Sequence, residues 1–261
     1  MSTEIPLWDA AETRAFWPSA YDRIVLDQTD STMAEAARRR DTLTGPTWIL
    51  ARNQIAAHGR RGRPWSMPPG NFAATLVMQP KGDPAQAALR SFTAAVALYQ
   101  ALAMLTGPKM LSLKWPNDVL LKGGKVAGIL LESAGQGGGV DHLSIGIGVN
   151  LASAPDGSQV EDNAVPPISV VGAGGKASSP EDFLFWLASH FADLEQQFQQ
   201  FGFDPIRHLW LKHAARLGEV ITARLPSEQI TGTFTTIDAE GHLILNTAKG
   251  ERRIAAAEIY F

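Results

Sequence analysis

The chain of 261 residues contains no cysteine, which excludes disulfides, a thiolate nucleophile and any cysteine-based metal site. It also has no excess of positive charge: the formal net charge is −3, whereas a general nucleic-acid binder needs a broad basic surface. Long hydrophobic runs are missing as well. The longest near-apolar stretch, Phe92 to Leu105, is interrupted by Thr93, Tyr99 and Gln100 and is too short to span a bilayer. The first twenty residues mix acidic and polar side chains and lack a basic segment followed by an apolar one. Together these absences predict a cytoplasmic protein that engages neither DNA nor membrane. One local absence says more. No Asp or Glu occurs from Thr42 to Gly82, and that window holds Arg52, Arg60, Arg61 and Arg63 with glycines at 59 and 62. Such a loop suits an anion, because bare backbone N–H groups can turn toward it and guanidiniums can fork onto phosphate oxygens.

What is present is ample for a core, with 45% hydrophobic residues in a length that holds one large domain and a small one. Residues 1–22 read as a loose lead-in, with a helix-like Trp8 to Phe16 stopped by Pro18. Arg23 to Asp27 predicts a short strand, and Asp30-Ser31-Thr32 a cap for a helix over Ala34 to Arg40. Thr47 to Ala51 and Phe72 to Met78 are β-rich and flank the arginine loop. Ala85 to Leu105 predicts one long helix, apolar on most faces and therefore buried. Val119 to Lys122 and Lys125 to Glu132 predict a hairpin turning at Gly123-Gly124. His142 to Asn150 alternates, with Leu143, Ile145, Ile147 and Val149 on one face and Ser144, Gly146, Gly148 and Asn150 on the other. An irregular stretch at 152–179 precedes helices over Glu181 to Phe201 and Pro205 to Ala215. From Gly218 the pattern changes to short strands (Val220 to Leu225, Ile230 to Ile237, His242 to Asn246, Arg252 to Ala255) turning at Asp238 to Gly241, which predicts a small barrel. The expectation is an α+β protein of two domains, 1–215 and 216–261.

Four stretches carry a sharper signal in combination. They are Asp30-Ser31-Thr32; Gln54 with Gly59-Arg60-Arg61-Gly62-Arg63 and Trp65; Lys114-Trp115-Pro116-Asn117-Asp118 with Gly124-Lys125-Val126-Ala127-Gly128-Ile129-Leu130; and Gly146-Ile147-Gly148-Val149-Asn150. In this order, over roughly 120 residues, they resemble the biotin–protein ligases, also called biotin–[acetyl-CoA-carboxylase] ligases. The resemblance runs from about Arg23 to Phe261. It implies a mixed β-sheet catalytic domain of the class II synthetase-like biotin/lipoate ligase type, with helices packed on it, followed by an SH3-like C-terminal β-barrel. It implies a ligase-only form, the residues ahead of Arg23 being too few for the winged helix of the family's repressor members. It further implies ATP, Mg²⁺ and biotin, a biotin carboxyl carrier domain of a carboxylase as partner, and a monomer or homodimer. The implied reaction forms biotinyl-5′-AMP and pyrophosphate, then passes biotin to a carrier lysine with release of AMP.

The resemblance also implies roles, each beside a plainer reading. Arg60 and Lys125 fall at the reacting carboxylate–phosphate junction and are the catalytic candidates, since joining two anions needs cations to offset their repulsion. Lys125, on the face of Ala127 by alternation, reads otherwise as an exposed hairpin lysine like Lys122. Biotin contacts fall on Ser31, Thr32, Gln54, His58, Gly59, Arg60, Lys125 and Gly128. Small neutral hydrogen-bonders suit the donors and acceptor of a ureido ring, though Ser31 also reads as a simple helix cap. Nucleotide contacts fall on Arg60, Arg63, Trp65, Asn117, Asp118, Lys125 and Asn150, with Asp118 a hard oxygen ligand for Mg²⁺. A curved loop would aim Arg60 and Arg63 inward and Arg61 outward. Pro116 would free Asn117 and Asp118 from the sheet ladder, although Pro-Asn-Asp is also an ordinary turn sequence. Trp65 either stacks near the adenine or anchors the loop, whereas Trp115 reads as core. Gly146 and Gly148 offer a floor to a ligand, or to a closely packed helix. One departure stands out: Ala57-His58 replaces the usual Gly-Arg at the head of the loop, which implies weaker retention of the adenylate or a pH-dependent loop. His190, His208 and His213 lie without ligand companions and predict no metal site. Rival readings are a lipoate or octanoate ligase on the same fold, and a non-catalytic biotin-adenylate sensor.

Overall fold

The computed structural model describes residues 17–80, 83–136, 138–155 and 165–260. The helix expected at Trp8 to Phe16 lies outside them. Strands β1 (Asp22–Leu26), β2 (Thr47–Ala51), β3 (Phe72–Met78), β4 (Leu111–Lys114), β5 (Asp118–Leu121), β6 (Gly124–Ala134) and β7 (His142–Val149) form one sheet. Their order is β1-β2-β3-β7-β6-β5-β4. β1 and β2 run parallel and the remaining pairs antiparallel, so the sheet is mixed as expected. β2 and β3 are buried at every residue, because the sheet is covered on both faces.

One face carries the main core. Leu143, Ile145, Ile147 and Val149 of β7 and Phe72, Ala74, Leu76 and Met78 of β3 meet α3 (Arg90–Thr106) and α4 (Pro180–Phe201) there. The opposite face carries α1 (Thr32–Arg39), whose Ala36 packs with Ile49 and Val77. The single helix expected over Ala85 to Leu105 is divided into α2 (Pro84–Ala88) and α3, with Leu89 between them. Asp83 caps α2 through Gln86 N–H, and Gly107 at φ 83° stops α3. By length and composition Pro84–Thr106 could cross a membrane, yet 72% of its apolar window is buried inside the protein. Here it is the core helix. A buried ion pair, Arg90 Nη2 to Glu195 Oε1 at 2.8 Å, ties α3 to α4.

The expected hairpin forms one residue earlier than the Gly-Gly pair indicates. Lys122 and Gly123 occupy the turn at φ 50° and 82°, which is the double left-handed geometry a two-residue hairpin favours. Gly124 instead opens β6 opposite Leu121, where a Cβ would come within 3.0 Å of Ile168.

After α5 (Asp204–Lys212) come β8 (Val220–Arg224), β9 (Gln229–Ile237), β10 (Leu243–Thr247), β11 (Gly250–Ile254) and β12 (Glu258–Tyr260). They form a second, antiparallel sheet in the order β11-β10-β9-β8-β12, and β12 is a strand the periodicity misses. Phe92, Trp210 and Phe234 stack edge-on between the two sheets. Trp115 is core, as expected, and its Nε1 donates to Gly241 O at 3.0 Å. Gly241 sits at φ 78° with Phe92 only 2.7 Å from where its Cβ would be, so the junction requires glycine there.

Candidate active site

The candidate residues gather on the α1 face of the large sheet. Register alone builds a row across five strands: Lys114 opposite Asp118, Asp118 opposite Gly128, Gly128 opposite Gly148 and Gly148 opposite Ala73. Two residues along, Gly146 lies between Thr75 and Leu130. Glycines therefore make a floor two strands wide, bordered by charge on one side and by hydroxyls on the other.

A β-bulge puts the key lysine on this face. Val119 pairs with Ala127 while its neighbour Leu120 pairs with Lys125, which leaves Val126 as an extra residue. Simple alternation places Lys125 beside Ala127. The bulge instead turns both Val126 and Ala127 into the core at 0% exposure and puts Lys125 on the face of Gly128. A Cβ at Gly128 would lie 3.4 Å from Lys125 Cε.

Lys125 Nζ stands 2.7 Å from Asp118 Oδ1. That oxygen is buried and has no aligned hydrogen bond, so the contact is one of charge. Asp118 is the first residue of β5 rather than clear of the ladder, because Trp115 to Asn117 already complete the turn. Arg60 Nη1 donates to Asn117 Oδ1 at 3.1 Å, and Asn117 Nδ2 donates to Ile129 O. Burial pushes the pKa of the Arg60 guanidinium down, with Asp118 opposing. Burial lowers Lys114 in the same way, again opposed by Asp118. Three cations thus surround one carboxylate in a partly desolvated place, which favours a bound anion.

The hydroxyl side is neutral. Gln54 Oε1 accepts from Thr32 N–H at 2.7 Å, and Thr75 Oγ1 donates to Thr32 Oγ1 at 2.8 Å. Gln54 Nε2 faces the Met67 sulfur, a weak acceptor, at 3.4 Å. Ser31 caps α1 through Ala34 N–H at 3.0 Å, so its plainer reading holds. From β6 to β3 is two inter-strand steps, about 10 Å.

The floor shows the packed-helix motive at one of its glycines and a packed loop side chain at the other. A Cβ on Gly146 would meet Met33 Sδ of α1 at 2.7 Å, and one on Gly148 would meet the Trp65 indole at 2.5 Å. Trp65 anchors its loop there, helped by its N–H to Ala57 O at 2.9 Å, with Lys125 Nζ 5.9 Å from the ring.

Other predicted residues lie elsewhere. Arg61 at φ 59° and Gly62 at φ 71° reverse the chain, closed by Gly59 N–H to Arg63 O at 2.7 Å. The loop consequently sends Arg60 inward, while Arg61 and Arg63 share Glu258 of β12, which corrects the expected pairing of Arg60 with Arg63. Arg52 is bound to Asp27 and Glu181. His58 Nε2 stands 3.8 Å from Glu132 Oε1, toward the far end of β6. Asn150, by contrast, stays beside the lysine: its N–H donates to Val126 O at 2.9 Å, and its Nδ2 donates at 3.1 Å to Ile168 O, whose own N–H reaches Lys125 O at 3.0 Å. Sequence reasoning missed Thr75, Lys114 as a site cation, and Glu258. Only Lys114 carried a signal, through its place before Trp115-Pro116-Asn117-Asp118. Among the described residues the one acid–histidine group of metal-binding shape, Asp238, Glu240 and His242, is bridged by Arg253. Neither Arg60 nor Lys125 lines the surface cavity of about 420 Å³ formed by Tyr99, Lys109, Lys212 and His213.

Comparison with known proteins bears on the family and the fold. The Biotin/lipoate A/B protein ligase family model matches residues 25–150, and the Biotin protein ligase C terminal domain model matches residues 217–261. A biotin–[acetyl-CoA-carboxylase] ligase of Paracoccus denitrificans is 54% identical over 238 residues, covering 91% of this chain and 99% of that protein. The chain belongs to the biotin–protein ligase family. A more distant member of the family, the bifunctional ligase/repressor BirA of Bacillus subtilis (strain 168), is 30% identical and is aligned over 90% of this chain and 71% of its own length. The fold matches the biotin protein ligase from Aquifex aeolicus in complex with biotin and ATP at a TM-score of 0.75. That pair is 23% identical, with 91% of this chain and 97% of the other covered.

Proposed function

We propose that the protein is an ATP-dependent ligase that activates biotin as biotinyl-5′-AMP and transfers it to a lysine of a biotin carboxyl carrier domain. The observation that carries this reading is the placement of Lys125, Asp118 and Arg60 on one side of a two-strand glycine floor and of Thr32, Gln54 and Thr75 on the other. A ureido ring has two N–H donors and one carbonyl, which neutral hydroxyls and an amide can match. A five-carbon acid chain then displaces the Trp65 indole from its seat on Gly148, lies beneath it and brings its carboxylate to Lys125 and Arg60. There the carboxylate oxygen attacks the α-phosphorus of ATP, the bond to the β-phosphate breaks, and pyrophosphate leaves. Cations at this junction offset the repulsion between the two anions and stabilise charge that builds at phosphorus. Trp65 and its loop cover the floor and keep water from the mixed anhydride. In the second step the carrier's amine attacks the acyl carbon, AMP departs, and a proton is lost to solvent.

Mg²⁺ enters this reading with ATP. Such an ion is held by one or two carboxylates plus phosphate oxygens, and the buried Asp118 Oδ1 fits that need once Lys125 turns from it to the phosphate. The bound ion would offset phosphate charge. The division into a catalytic domain, 1–215, and a small second domain, 216–261, is supported by the change of sheet between α5 and β8. A carboxylase carrier as acceptor and a cytoplasmic location are part of the same reading, which rests on the Paracoccus relative for the acceptor.

The test is biotin-dependent exchange of pyrophosphate into ATP by the purified protein. Exchange that requires biotin and ignores lipoate supports the proposal. Exchange driven by lipoate would replace it with a lipoate ligase, and biotin binding without exchange would replace it with a sensor.

A further inference from the structure

Glu258 belongs to β12 of the second sheet, yet its carboxylate reaches the arginine loop of the first. Its Oε1 lies 2.7 Å from Arg61 Nη1 and 2.5 Å from Arg63 Nη2. Its Oε2 accepts from the Tyr260 hydroxyl at 3.0 Å, and its side chain is 19% exposed. Two guanidiniums converging on one anionic oxygen is how arginines hold a phosphate. Arg61 makes this contact from a left-handed backbone, φ 59° and ψ 25°, that a side chain other than glycine adopts only at a cost. The loop conformation is therefore held by its contacts, and beside the Gly59–Arg63 backbone bond and the Trp65 anchor the Glu258 carboxylate is the anion that holds its two arginines. Glu258 thus holds two guanidiniums directly and lies within charge range of Arg60 and Lys114, both of which face the candidate reaction site.

We propose that Glu258 competes with the phosphates of ATP and with pyrophosphate for Arg61 and Arg63, so that the second sheet sets the affinity for the nucleotide. The proposal rests on the reading of the arginine loop as nucleotide-binding. A triphosphate carries several charges and many acceptor oxygens against one carboxylate, so it wins the arginines at sufficient concentration. It must first displace Glu258, and its apparent affinity falls in proportion to the fraction of molecules in which the loop is free. Burial by itself would raise the pKa of Glu258, but the hydrogen bonds from Arg63 and Tyr260 and the charges of Arg63 and Arg61 hold it below the usual carboxylate range. The competitor is consequently ionised at neutral pH, and protonation does not release the loop there. Nucleotide phosphate does.

Glu258→Gln keeps the shape and removes the charge. Binding of inorganic pyrophosphate and of ATP to the full chain, measured by calorimetry without biotin, should tighten about three- to tenfold in this variant. In the exchange assay KM for ATP should fall by the same factor while KM for biotin stays unchanged. Tyr260→Phe frees Oε2 without altering charge and should move both readouts in the same direction by a smaller factor. It guards against a folding defect in the first variant. Equal or weaker pyrophosphate binding by Glu258→Gln would overturn the competition and leave Glu258 as a residue that aims the arginines. The two readings fail separately: wild-type protein that binds pyrophosphate but shows no biotin-dependent exchange refutes the ligase, whereas wild-type exchange with unchanged pyrophosphate binding in the variant refutes the competition.

Discussion

Gly148→Ala would test the glycine floor most directly. The added methyl would stand 2.5 Å from Cε2 and 2.7 Å from Cζ2 and Nε1 of the Trp65 indole. Carbon atoms in contact settle at about 3.5–4.0 Å, so the ring has to retreat by about 1 Å. The strand cannot yield in its place, since Gly148 is paired to Ala73 on one side and Gly128 on the other. Overpacking of this kind costs about 1–3 kcal/mol. For a chain of this size each kcal/mol lowers Tm by about 2–4 °C. The neighbouring glycines supply an internal scale. At Gly146 the obstacle is Met33 Sδ at 2.7 Å, a flexible thioether that can rotate aside. At Gly128 the nearest atom is Lys125 Cε at 3.4 Å, already close to an ordinary contact. Calorimetry should therefore rank Tm as Gly128→Ala above Gly146→Ala above Gly148→Ala. In pyrophosphate exchange Gly148→Ala should raise KM for biotin on the order of tenfold, because the displaced indole no longer anchors the loop over the floor. Wild-type Tm together with wild-type KM in Gly148→Ala would refute the reasoning.

Three further outcomes follow from the same structure. Lys125→Ala and Arg60→Ala should each slow biotin-dependent exchange by about 10²–10³ while leaving the far-ultraviolet circular dichroism spectrum intact, and an active double mutant would remove both from the reaction. Glu195→Ala strands the buried Arg90 guanidinium, which also lies 4.7 Å over the Phe198 ring, and should cost about 3–5 kcal/mol in urea denaturation. The apolar pair Arg90→Met with Glu195→Leu should recover most of that loss. His58→Arg should slow release of the adenylate between pH 6 and 8, by supplying a permanent cation where His58 faces Glu132 at 3.8 Å, and equal off-rates would exclude His58 from retention.

Much of the fold was legible because the strands are strongly patterned. β3 is apolar but for Thr75, β7 alternates between apolar residues and small ones, and both were placed within a residue. The misses share a cause. β4 has four residues and β12 three, too few for any period to register. Leu89 interrupts a helix without a glycine or proline to announce it. The hairpin went wrong by one residue because Gly123-Gly124 looked like a turn pair. In fact Lys122 tolerates φ 50°, and Gly124 is demanded by Ile168 packed above it. That packing comes from a segment more than 40 residues away along the chain, and no local rule contains it.

The site divides along the same line. The motifs named residues that the structure brings together, and the roles proposed for them rest on their chemistry: the cation at Lys125, the carboxylate at Asp118, the amide at Gln54 and the guanidinium at Arg60. Residues whose role depends on which way the backbone turns were not found in this way. Arg63 was expected beside Arg60, but two successive left-handed residues, Arg61 and Gly62, rotate it to Glu258 on another sheet. Lys125 shows how narrow the margin is. In an unbroken strand it would share the face of Ala127, which is fully buried, and its ammonium would point into the core at prohibitive cost. One extra residue, Val126, moves it to the face of Gly128 and within 2.7 Å of Asp118. Period-two reading predicts the wrong face there, while the motif that spans the bulge predicts the right neighbours. The bulge is thus what makes Lys125 available to chemistry at all, setting its side chain against the bare backbone of Gly128.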